Sequence, residues 1–207
     1  MTGDLRDTQD DLAFLRALVT DAPKTQASGG WLFLAGGGLY GIQCLFFWAQ
    51  MAFQFQMPGW AWMIPSLGPT ALFLIALTVV LVHDRKLRQT GVATRAMNAA
   101  WGSTGLVTMA VLVVFGFNAW REQSLLIWLL YPIVVCAIQG GVWYVAYMIR
   151  KRGWLAAVSA GWLATAVALG FMTRNPDIYC LTIGIALILC MALPGWIMIR
   201  QAAREAV

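Results

Sequence analysis

Residues 25–83 read TQASGGWLFLAGGGLYGIQCLFFWAQMAFQFQMPGWAWMIPSLGPTALFLIALTVVLVH, and no charged side chain occurs between Lys24 and Asp84. A bilayer core about 30 Å thick is crossed by roughly 20 apolar helical residues, so this stretch is long enough for two crossings. The turn signal Met57-Pro58-Gly59 divides it. Uncharged runs at 96–120, 123–149, 154–173 and 178–199 each supply one more. The expected fold is therefore an all-α, polytopic membrane bundle of six transmembrane helices, at about 31–55, 60–83, 96–118, 124–149, 154–172 and 177–199.

Composition agrees. Of the 207 residues, 60% are hydrophobic and 11% charged, against about 25% charged in soluble domains. Residues 1–30 contain Asp4, Asp7, Asp10, Asp11 and Asp21 and no apolar signal-peptide core, so the first span is expected to serve as the insertion signal. The net charge of +5 does not point to nucleic acid, because the excess sits beside helix ends.

Those charges orient the bundle. The 2–3 loop carries Arg85, Lys86, Arg88 and Arg95, the 4–5 loop Arg150, Lys151 and Arg152, and the tail Arg200 and Arg204; the opposite side has only Arg121 and Arg174, beside Glu122 and Asp177. Under the positive-inside rule both termini are expected in the cytoplasm, with a bacterial inner (plasma) membrane as the location. The organisation expected is a cytosolic segment 1–30, a six-helix domain 31–199 and a short cytosolic tail 200–207. Trp31, Trp101, Trp154 and Trp196 fall near inner span ends, Trp60, Trp62, Trp120, Trp128 and Tyr179 near outer ones, and Trp143 and Trp162 inside.

Each odd span opens with Trp and continues with small residues; each even span carries proline (Pro65 and Pro69, Pro132, Pro194). Three repeated helical hairpins would give this pattern, and so would the general abundance of small residues and Pro in membrane helices. Small side chains let helix backbones approach in lipid. Gly37 and Gly41, and Ala160, Ala164 and Ala168, are spaced to lie on one helix face. The odd helices are expected inside the bundle and the even ones toward lipid. Dimerisation through the same motifs, giving a homo-oligomer, stays open.

Ahead of the first span, Leu12, Phe14, Leu15 and Leu18 form a short amphipathic helix candidate after Thr8-Gln9-Asp10-Asp11. Its acidic start disfavours lipid adhesion, since interfacial helices are usually basic. It either packs under its own bundle or docks a protein partner. Pro23 and Ala27-Ser28-Gly29-Gly30 are expected to end it in a flexible joint.

No Asp, Glu, Lys, Arg or His lies in the middle of a span, which argues against a proton-coupled pump. The single histidine, His83, ends the second span beside Asp84, so no nucleophile–base pair and no bis-histidine haem ligation can be built. Neither catalysis nor a cofactor or metal is expected. Met51, Met57 and Met63 have the softness for Cu(I) but are equally ordinary at an interface. Cys44, Cys136, Cys180 and Cys190 show no paired spacing and read as packers.

Tyr40, Gln43, Gln50 and Gln139 remain as polar residues at depth, a candidate polar pocket between helices 1 and 4; plain interhelical hydrogen bonding is the alternative. The function expected is that of a non-catalytic accessory or regulatory subunit. It would engage a cytosolic or membrane partner through the N-terminal segment or the bundle surface. A membrane-embedded binder or transporter of a small uncharged or amphiphilic solute is the alternative.

Overall fold

The structure is a computed structural model describing residues 23–84 and 92–205, with side chains at 27–83 and 96–204. Leu12, Phe14, Leu15 and Leu18 lie outside the described residues, as do Arg85, Lys86 and Arg88. The described chain is helical, without strands. It forms α1 (Pro23–Phe53), a 3₁₀ turn at Gly59–Trp62, α2 (Met63–Asp84), α3 (Val92–Glu122), α4 (Leu125–Arg150), α5 (Gly153–Phe171), α6 (Pro176–Leu187), a wide π-helical turn at Ile188–Ala192, and α7 (Leu193–Glu205). With α6, the π turn and α7 read as one rod, six helical spans are long and apolar enough to cross a membrane. They fit an integral, multi-pass membrane protein in contact with lipid. Helices are the required choice for such runs, since hydrocarbon offers backbone amides no partner and a helix pairs them internally.

Local sequence sets the ends. Gln54, Gln123 and Lys151 take positive φ values of 49°, 48° and 52°, closing α1, α3 and α4 in the left-handed conformation that stops a helix. Pro23 and Pro176 stand first in α1 and α6, where the missing N–H has no helical partner to lose. The joint expected at residues 27–30 is not there. α1 runs through it, because Gly30 packs against the backbone of Gly195 and Ser28 is buried.

The spans pack in the spatial order α2, α1, α6–α7, α5, α4, α3. α1 meets α6–α7 along a glycine seam. A Cβ on Gly37 would stand 2.7 Å from Leu187 O, at the end of α6, and one on Gly195 would stand 2.6 Å from Gly30 O. Gly41 faces Gly184 one turn further along. Gly37 and Gly41 are thus used within the chain. Ala160 and Ala164 of α5 face outward instead.

The core is built from α4, α5 and α6–α7, where Trp143, Tyr179, Leu169, Pro194 and Cys136 are fully buried. Trp143 packs at 5.0 Å from Trp101, 5.2 Å from Phe33 and 6.1 Å from Trp154, between ring centroids, tying α1, α3, α4 and α5 together. The expected division into inner odd and outer even helices therefore fails. α2 has no buried residue in its apolar stretch and α3 almost none, whereas α4 and α6–α7 are central. The reason is volume: large aromatics on the even spans α4 and α6 fill the core, while Gly102 and Gly105 of α3 meet nothing.

Candidate functional site

Prolines decide where the polar side chains go. A proline inside a helix has no N–H for the carbonyl four residues earlier, and in a membrane that carbonyl needs a donor from elsewhere. Pro69 of α2 leaves Pro65 O without its helical partner, and Gln43 Nε2 of α1 donates to it at 2.8 Å and to Ser66 O at 3.2 Å. Pro194 of α7 leaves Cys190 O in the same state, and Trp162 Nε1 of α5 donates to it at 3.0 Å. Near Pro132 of α4, the Tyr179 hydroxyl of α6 donates to Leu129 O at 2.6 Å. Two of the three prolines thus free a carbonyl that a neighbouring span's side chain takes up, whereas Leu129 O lies one residue past the carbonyl that Pro132 frees. The Ser159 hydroxyl adds a further tie, donating to Gly140 O at 2.7 Å across the α4–α5 contact.

The four residues of the candidate polar pocket are not brought together. Tyr40 and Gln43 both face α2, the Tyr40 hydroxyl lying 3.5 Å from Thr70 Oγ1. Gln50 lines an open hollow of about 410 Å³ at the far end of the bundle, with Met51, Gln54, Phe55, Gln56, Met57 and Trp62. Gln139 stands apart on α4. The Phe33–Trp143 contact fixes the relative height of α1 and α4. Gln139, one turn beyond Trp143, is then level with about residue 37 and roughly 9 Å in depth from Gln43, at 1.5 Å per residue. Its Oε1 is buried and has no hydrogen-bond partner among the described residues. Met51 and Met57 do share the hollow, with Met63 exposed nearby.

The end of the bundle at which the described residues begin and end is basic. The Arg200 guanidinium lies 3.7 Å from the Trp196 ring centroid, a close cation–π contact. Arg152 Nη1 donates to Gln201 Oε1 at 2.7 Å and Arg150 Nε to Met97 Sδ at 3.0 Å. These contacts join the ends of α3 and α4 and the 4–5 turn to α7.

Sequence reasoning missed two features. The first is the acceptor of the interhelical hydrogen bond from Gln43, Pro65 O, whose signal was Pro69; the second is the outer flank formed by α2. α2 packs on α1, exposes Ser66, Thr70 and Thr78, and leaves Gly68 open, with a groove of about 370 Å³ at Thr78, Val79, Val82 and His83. No protein-family model, no curated protein and no solved structure matches this chain.

Proposed function

We propose that the chain is a non-catalytic accessory or regulatory subunit of a bacterial inner membrane, with both termini in the cytoplasm, that engages a membrane protein partner. One observation carries this reading: the outward strip of α2. Helices associate in lipid through small residues and hydrogen-bonding side chains. α2 offers Gly68, Ala71 and Thr78 on the side away from α1, with Ile75 and Val82 between and beyond them. No residue of its apolar stretch is fully buried within the described chain. A partner helix laid along this strip would cover the open backbone at Gly68 and fill the groove beside Val82. The N-terminal segment, with Leu12, Phe14, Leu15 and Leu18, provides a second attachment on the cytoplasmic side.

A photo-crosslinking residue placed at 68, 75 or 78 in native membranes tests this. A discrete crosslinked polypeptide from these positions, and none from position 106 on the exposed face of α3, supports it. Lipid adducts alone from both helices contradict it.

A second reading has its own observation. The far-end hollow brings three glutamine amides and two thioethers around about 410 Å³, which suits a small uncharged or amphiphilic solute. Solute-dependent thermal stabilisation that disappears in Gln50→Leu would favour it, and its absence across a panel of neutral solutes would remove it.

A further inference from the structure

Four buried polar atoms in the inner and middle part of the bundle have no hydrogen-bond partner among the described residues: Thr108 Oγ1, Gln139 Oε1, Trp143 Nε1 and Trp154 Nε1. Buried polar groups are normally paired, and each exception calls for a cause. Trp143 and Trp154 are in ring contact, and helical spacing places Gln139 and Thr108 on the same α3–α4 seam. α3 and α4 run antiparallel, in a register fixed by Arg150 with Met97 and by Trp143 with Trp101. Thr108 lies seven residues after Trp101 and Gln139 four before Trp143, so the two stand within about one helical turn of each other in depth. By helical spacing they also share the facing stripes: Met97, Trp101, Thr104 and Thr108 on α3, and Arg150, Trp143 and Gln139 on α4. Trp143 is one turn from Gln139 and only 1% exposed, and its ring lies 6.1 Å from that of Trp154.

The orientation of Thr108 adds an independent point. Thr78, Thr104 and Thr165 each turn their hydroxyl back onto the carbonyl four residues earlier, at 2.7–2.8 Å. Thr108 does not, although the same carbonyl is within reach of any helical threonine. The set offers an indole N–H donor, an amide oxygen acceptor and a hydroxyl that does both. A buried water makes about three hydrogen bonds and needs polar partners of both kinds.

We infer that the α3–α4 seam is a binding site for ordered water, held between Thr108, Gln139 and the indole of Trp143 and extended toward the basic end of the bundle by Trp154. It reaches the middle of the bundle and stops there, since the next residues along the α4 stripe are Cys136, Pro132 and Leu129. Gln139 is therefore a water ligand, where Gln43 is a structural donor.

Millisecond X-ray radiolysis of the full chain in nanodiscs tests this, because bound water activated in place oxidises the side chains beside it even where bulk solvent is excluded. Trp162 is the internal reference: it is 2% exposed and its N–H is already taken by Cys190 O. Trp143 should be oxidised several-fold faster than Trp162, and in Thr108→Val/Gln139→Leu its rate should fall to that of Trp162. Thr108→Val alone, nearly isosteric, should lower the rate in the same direction. Equal protection of Trp143 and Trp162 in the unmodified protein would overturn the inference, and so would a Trp143 rate unchanged by both variants.

Discussion

Replacing Gln43 by leucine should destabilise the bundle by an amount that depends on Pro69, twenty-six residues away on another helix. Gln43 Nε2 donates to Pro65 O at 2.8 Å, the carbonyl that Pro69 cannot serve. Interhelical hydrogen bonds in membranes average about 0.6 kcal/mol and reach about 1.7, while a buried acceptor left unpaired costs roughly 1–3 kcal/mol. The Pro65 contact is partly buried, so the loss for Gln43→Leu should be about 1 kcal/mol. In a Pro69→Ala background the backbone N–H of residue 69 takes the carbonyl, and the same Gln43→Leu change should cost close to nothing. Reversible unfolding in mixed micelles, or steric trapping in bicelles, measures all four corners of this double-mutant cycle. An equal loss in both backgrounds would refute the reasoning, because Gln43 would then act through packing or another partner.

The same logic predicts that Trp162→Phe costs about 1 kcal/mol and that this loss shrinks in Pro194→Ala, measured by the same unfolding cycle. Gly37→Leu and Gly195→Ala should lower the unfolding midpoint sharply. A Cβ at Gly195 would meet Gly30 O at 2.6 Å and one at Gly37 Leu187 O at 2.7 Å, both backbone atoms that cannot swing aside. Gly38→Ala, with nothing within 4 Å of the added carbon, should instead stabilise by about 0.5–1 kcal/mol in thermal melts. Gln54→Gly should also stabilise, by up to about 1 kcal/mol, since Gln54 holds a φ of 49° that glycine adopts without strain.

The six spans were legible because charge is excluded from hydrocarbon, so charge-free runs, the longest divided at Met57-Pro58-Gly59, mark them to within about a turn of helix. The depth of Trp143 and Trp162 inside their spans was legible for the related reason that neither sits at a span end, but their facing the core was not. The beginning of the first helix was read late, at residue 31, because Ala27-Ser28-Gly29-Gly30 has the composition of a linker. In the fold those small residues are what lets α1 lie against Gly195. The ranking of inner and outer helices failed on a matter of partner choice. Gly37, Gly102 and Ala160 look alike in sequence, yet only Gly37 faces another backbone, and a single sequence does not say which helices meet. The same gap dissolved the four-residue pocket: Gln43 and Gln139 were each placed near the middle, but their depths differ once Phe33 is seen against Trp143.

The reading of this chain as an accessory subunit is tested most directly by native mass measurement of the protein, expressed at its own level and extracted in mild detergent. The account predicts a discrete complex of fixed stoichiometry with a second membrane polypeptide, lost in Gly68→Leu/Thr78→Leu while the fold survives. Recovery of the chain with lipid alone, identical for both proteins, would contradict it.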